Sequence, residues 1–130
     1  MLHIKPVYTS YEREEYSSAC GFDYTTDQYC VAEFDNNNII GTALYRVHEG
    51  YAEITDIGFV PQYDDNTARI LLARGTLNAI DLSGIKTVVF SAQNTEFVKG
   101  LGFFPKYGKL ALQLQGYFDE PCHKQKIEQK

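Results

Sequence analysis

The spacing of apolar positions changes several times along the chain, and each change marks an element. In "LHIKPV" (2–7), Leu2 and Ile4 share one face at the two-residue period of a strand, and Pro6 confines that strand to a sheet edge or an end. "TSYEREEYSSACG" (9–21) predicts a helix, with Thr9 and Glu12 spaced as a capping box and Gly21 at the stop position. "YCVAEF" (29–34) and "IIGTALYRVH" (39–48) flank the polar "DNNN", which predicts an antiparallel hairpin. Glu49-Gly50 makes a second tight turn into "YAEITDIGFV" (51–60). This third strand changes phase: Ala52 and Ile54 put the apolar face on even positions, Ile57 and Phe59 on odd ones. A β-bulge near Thr55 and Asp56 produces such a change.

The strongest helix is predicted over 67–83, where Ala68, Ile70, Leu71, Leu72, Leu77, Ile80 and Leu82 are apolar and Arg69, Arg74, Asn78 and Asp81 gather on a polar side. Asp65, Asn66 or Thr67 can cap it, and Ser83-Gly84 ends it. "KTVVF" (86–90) is a continuous apolar run of the kind buried on both faces beside a parallel partner, so 51–90 reads as a right-handed β-α-β unit. A short helix around 94–101 follows. "LALQLQ" (110–115) closes the sheet, with Leu110, Leu112 and Leu114 on one face and Gln113 and Gln115 on the other. With no repeat or linker, residues 1–119 are expected to form a single domain, and 120–130 a polar, partly disordered tail.

A formal charge of −5 argues against nucleic acid and anionic membranes as partners, and leaves basic or neutral small substrates compatible. No apolar run approaches the roughly 20 residues of a membrane span, and "MLHIKPVY" lacks the layout of a signal peptide, so a soluble cytoplasmic protein is expected. Cys20, Cys30 and Cys122 are odd in number and read as thiols in a reducing compartment. A zinc site from Cys20, Cys30, Cys122 and His123 is not called for by their spacing, and no metal is expected.

The order of elements, together with "ITDIGFVP", "LLARGTLNAI" and "FVKGLGFFP", resembles the GNAT superfamily of acetyl-CoA-dependent N-acetyltransferases over about residues 29–115. The resemblance implies an α/β (α+β) fold: a mixed, mostly antiparallel sheet with a bulged, splayed central strand and flanking helices. It implies that the pantetheine arm of acetyl-CoA lies in the splay, beside Ile57, Phe59 and Val60. In the family, the loop after this strand, Arg/Gln-x-x-Gly-x-Gly/Ala, binds pyrophosphate through backbone N–H groups, and glycine lets the backbone approach closely.

Here "VPQYDDNTARILLARG" (60–75) departs from that pattern. Anchored on Leu71-Leu72, Ala68 takes the last small position, Asn66 replaces the first glycine and Tyr63 the basic residue. Anchored on Pro61, Asp64 replaces the basic residue, and Thr67 and Arg69 the glycines. Either way, carboxylates stand beside the phosphate position, each costing on the order of 1 kcal/mol in repulsion. Weak acetyl-CoA binding through Asn66, Thr67 and Ala68 is one expectation. Simple capping of the helix by Asp64, Asp65 and Asn66 is the other.

Acetyl transfer to an amine needs a base and donors for the developing oxyanion. Glu53 and Asp56 on the bulged strand are the candidate bases; solvent exposure of Glu53 and a structural role for Asp56 at the bulge are the alternatives. The family's acid, a Tyr five residues before the Phe of Gly-Phe, maps to Val98, which has no proton to give. An Asn common further upstream maps to Ser91, a candidate cofactor contact. Tyr107 could supply the missing acid or simply pack. His48 reads as a surface residue, and Cys122 as a nucleophile lacks an assignable basic partner. Two functions stay open: an acyltransferase acting on the amine of a small molecule or peptide, and a non-catalytic relative used in ligand sensing or protein association. A homodimer is compatible with both.

Overall fold

A computed structural model describes residues 1–119; residues 120–130 lie outside the described part, and with them Cys122, His123 and the polar tail. Four strands follow one another in the chain and in space, each antiparallel to the last: β1 (Leu2–Val7), β2 (Gln28–Asp35), β3 (Asn38–His48) and β4 (Tyr51–Phe59). β5 (Thr87–Phe90) then lies parallel to β4, and the hairpin of β6 (Phe104–Lys106) and β7 (Lys109–Gln113) completes a seven-stranded sheet in the order β1-β2-β3-β4-β5-β7-β6. Pro6 is tolerated because β1 is an edge strand. β6, at the far edge, carries Pro105 and is too short for any period to reveal.

Helix α1 (Ser10–Ala19) covers β2 and β3 on one face of the sheet. Its start is fixed by Thr9, whose hydroxyl accepts the Glu12 N–H at 3.2 Å, and its end by Gly21 at φ +82°. Val7, Cys30, Ala32, Phe34 and Leu44 form the core beneath it. Helix α2 (Asn66–Leu82) crosses the other face and buries Ala68, Leu72, Ala73, Thr76, Leu77 and Ile80 against Ile54, Ile57, Val88, Phe90 and Leu112. No helix among the described residues is long and apolar enough to cross a membrane.

Three expectations need correction, and one feature of β3 was not expected. β5 is buried on one face only, through Val88 and Phe90, while Thr87 and Val89 face a side of the sheet that α1 does not reach. Ile70, Leu71 and Leu82 of α2 are exposed, because six inward positions already fill the contact with the sheet. The expected helix at 94–101 is a single 3-10 turn, Thr95–Val98. β3 has its own bulge: Glu33 pairs with Gly41 and Phe34 with Ile39, leaving Ile40 as the extra residue.

Candidate active site

The phase change in β4 is a bulge at the expected place. Leu44 pairs with Asp56 and Tyr45 with Ile54, so Thr55 is the inserted residue. The insertion decides where two carboxylates point. In an unbroken strand, positions 53 and 56 would face opposite sides. Here Glu53 lies opposite Arg46 and Asp56 opposite Leu44, two residues apart on β3 and therefore on one face. Gln28, only 2% exposed, braces the bulge: its amide donates to Thr55 Oγ1 at 2.8 Å and to Asp56 Oδ2 at 3.3 Å, while its carbonyl accepts the Thr25 N–H at 2.8 Å.

The bulge also ends the pairing of β4 with β5. Only Ala52, Glu53 and Ile54 pair across, to Val88, Val89 and Phe90, and a last bond runs from the Ser91 N–H to the Ile54 carbonyl at 3.0 Å. Beyond it the strands part, and a cleft of about 480 Å³ opens between 55–59 and 91–94. Asp56, Ile57, Phe59 and Ser91 line it from the strands, and Cys20 and Phe22 from the end of α1. Gly58 keeps the cleft open towards α1, since a Cβ there would stand 3.0 Å from the Phe22 ring. Burial raises the Cys20 thiol above its ordinary range, so it is a poor nucleophile despite its position.

Glu53 does not face open solvent. Its Oε2 accepts the Ser91 hydroxyl at 2.6 Å, its Oε1 lies 2.8 Å from His48 Nε2, and Lys109 Nζ stands 3.8 Å from Oε2. The Ser91 bond first, then the His48 bond and the Lys109 charge, hold its carboxyl below the usual range against the cost of burial. A carboxylate so stabilised is a weak proton acceptor and a good anchor for a cation. His48 is thus part of this network, its ring stacked on Tyr51 at 4.7 Å between centroids. Tyr107 does not line the cleft: it sits 94% exposed in the β6–β7 turn at φ +52°, so a role as acid to a thiolate in the cleft is not carried by its position. Val98, which stands where the family has its acid, is buried in the core.

A second hollow of about 390 Å³ continues past Phe59 along Val60, Tyr63, Asp64, Arg69, Asn94 and Phe97. Its loop is closed on itself. Gln62 takes a left-handed φ of +69° in a turn closed by the Tyr63 N–H on the Val60 carbonyl, and Asp65 caps α2 by accepting the Ala68 N–H at 2.9 Å. Arg69 reaches back to Asp64 Oδ1 at 2.5 Å and Asn66 Oδ1 at 2.8 Å. Asn66 and Thr67 form the first turn of α2, and Ala68 is fully buried; none of the three lines the hollow. Gln28 is the site residue the sequence did not single out, and Arg69 entered there only as the residue at a glycine position of the loop. Arg69 read as a polar helix position or a replaced glycine of the loop, and only its spacing of five from Asp64 hinted at the contact. Gln28 carried no pattern at all.

No protein-family model matches the chain, and no curated protein matches it in sequence. Solved structures do match. The ribosomal-protein-S18-alanine N-acetyltransferase of Escherichia coli superposes with a TM-score of 0.63 at 16% identity, over 88% of this chain and 94% of its own. A GNAT family acetyltransferase from Elizabethkingia anophelis, solved with acetyl-CoA bound, gives 0.64 at 15% identity, over 87% and 98%. An N-acetyltransferase from Staphylococcus aureus Mu50 gives 0.64 at 15%, over 88% and 99%. At these identities the likeness is one of fold, and the chain has the GNAT acetyltransferase fold.

Proposed function

We propose that this protein is an acyl-CoA-dependent N-acyltransferase, moving an acetyl group from acetyl-CoA to an amine. One observation carries the reading: the bulge at Thr55 both opens the cleft between β4 and β5 and sets Asp56 in its lining. The donor fits this cleft at its pantetheine end. Residues 55–59 run past the end of β5, so their backbone groups on that side face the gap, and Ile57 and Phe59 give it an apolar wall. The phosphate end fits less well, because Arg69 is held by Asp64 and Asn66 and the cap of α2 is taken by Asp65. Acetyl-CoA, when bound, supplies the acetyl group as a thioester.

The chain's own residues then divide the work. Asp56 takes a proton from the acceptor ammonium and releases it to solvent, leaving a neutral amine; Gln28 fixes its orientation. The nitrogen bonds to the acetyl carbon, the carbon–sulfur bond breaks, and the nitrogen's remaining surplus proton goes to the departing sulfur. Glu53 is a positioning residue that holds the Ser91 hydroxyl at the edge of the cleft. The test is thiol release from acetyl-CoA with a panel of amines, comparing the unaltered protein with Asp56→Asn. Loss of a general base is expected to lower turnover by about 10²-fold or more, with the melting temperature kept. Equal rates in both forms would remove Asp56 from the chemistry. A second reading, a non-catalytic relative that senses a ligand or binds a protein, is favoured by the internally paired loop at Asp64–Arg69. Coenzyme A binding without thiol release from any amine would select it.

A further inference from the structure

Among the described residues, no helix packs on the outer face of the sheet over β5 and β7, since α1 lies over β2 and β3. A groove of about 410 Å³ runs across it, floored by Tyr51, Thr87, Val89 and Ala111 and rimmed by Lys106 and Lys109. This size suits a small molecule. Glu49 closes the end at the β3–β4 turn, and Tyr107 stands at the rim in a left-handed conformation that a bulky side chain rarely adopts.

Glu53 lines neither the groove nor the cleft but bridges residues of both. Glu53 pairs with Val89, which floors the groove, while its Oε2 accepts the hydroxyl of Ser91, which lines the cleft. One step beyond the last β5–β7 pair, Phe90 with Leu110, Lys109 comes level with Ser91. The junction therefore presents a carboxylate and an ammonium 3.8 Å apart, an ion pair too long to be a hydrogen bond.

Resting on the acyltransferase reading above, we propose that the acceptor is a free α-amino acid with an apolar or aromatic side chain. Such a zwitterion carries an ammonium and a carboxylate a few ångströms apart, in the opposite sense to the pair that Glu53 and Lys109 present. Docked on that pair, its ammonium meets Glu53, beside the cleft and on the same face as Asp56, and its carboxylate meets Lys109 with Lys106 behind it. The loose Lys109 contact is exchanged for two charge-assisted hydrogen bonds, the ammonium sharing the Glu53 carboxylate with Ser91 and His48. The side chain lies along Val89, Ala111 and Tyr51, under Tyr107, and Glu49 at the closed end repels acidic side chains. A plain amine would leave Lys109 unanswered, and a peptide would lack the carboxylate at this distance from its amine.

The experiment measures thiol release from acetyl-CoA with matched acceptors: L-leucine and L-phenylalanine, their amides, the corresponding decarboxylated amines, and dipeptides beginning with the same residues. The free amino acids are expected to exceed the amides and amines by at least tenfold in kcat/KM. Lys109→Met, which keeps most of the unbranched side chain and removes its charge, is expected to bring the acid-to-amide ratio close to one through KM. Amides, amines or dipeptides that match or exceed the free acids would overturn the proposal and leave the acyltransferase reading standing. An unchanged ratio in a folded Lys109→Met variant would overturn it too. Silence from every acceptor would instead take down the parent reading, and this proposal with it.

Discussion

Glu33 is fully buried in the middle of β2, and neither carboxyl oxygen has a hydrogen-bond partner among the described residues. Burial first, and the negative charge of Asp65 second, push its carboxyl from the ordinary 4.5 up to about 8. The sign of the consequence follows from linkage. An acid whose folded pKa is raised keeps its proton in the native state while the unfolded chain has lost it. Native stability is then fully present below 4.5 and is lost as pH rises through about 8. The interval is about 3.5 pH units at ~1.4 kcal/mol each, which gives an upper bound of about 5 kcal/mol. Glu33→Gln keeps the shape of the protonated acid and removes the titration. Urea unfolding of both forms at pH 5, 6, 7, 8 and 9 isolates this group, because every other titration cancels in the difference. The two proteins are expected to be close in stability at pH 5. The variant should then gain on the parent by about 1 kcal/mol per pH unit up to about pH 8 and hold a constant lead above it. Parallel profiles, or a parent that gains on the variant as pH rises, would refute the reasoning.

Other expectations follow from single contacts. Asp64→Ala releases Arg69 from its carboxylate partner and is expected to tighten coenzyme A binding by about three- to tenfold at low salt, whereas Arg69→Ala should weaken it by a similar factor; calorimetric titration of both reads the difference. Gly75 lies against β1, where an added Cβ would meet Ile4 Cγ2 at 2.7 Å, so Gly75→Ala is expected to cost about 1–3 kcal/mol despite alanine's better helix propensity, and a stabilised variant in urea would contradict the packing argument. Thr9→Ala removes the cap of α1 and should cost about 1 kcal/mol in the same assay.

The sequence showed what lies on one element and concealed what depends on two. The bulge was legible because an extra residue shifts the apolar phase of β4 within its own run. The α1 cap, the α2 span to within a residue and the edge position of Pro6 were legible for the same reason: each is a local choice. The partly buried outer face of β5 was not, since Thr87-Val88-Val89-Phe90 reads as doubly buried unless one knows that α1 lies over β2 and β3. Glu53 read as a candidate base or else a solvent-facing residue, and its partners Ser91 and Lys109 come from 38 and 56 residues further along the chain. Glu33 sits in an otherwise apolar run, and nothing in that run says that no partner meets it.

The loop that opens α2 shows why a helix N-terminus is not by itself an anion site. Its positive end has a limited number of N–H groups, and stabilisation falls off within the first turn. Here the Ala68 N–H is taken by the Asp65 side chain, the Arg69 N–H by the Asp65 carbonyl, and the Arg69 guanidinium by Asp64 and Asn66. The groups that hold the loop in shape are therefore the ones an incoming phosphate must displace. The cap is the harder to displace, because losing it costs about 1 kcal/mol of helix stability. The Arg69 pair is the easier, because Asp64 is 82% exposed and a surface ion pair is worth about 1 kcal/mol or less. Of the charged groups in this loop, Arg69 is the one that can change partners for a phosphate, while Asp65 stays where it is. Removing Asp65 along with Asp64 would expose the N–H groups that attract an anion but loosen the turn that presents them, so the single substitution at Asp64 is the cleaner gain.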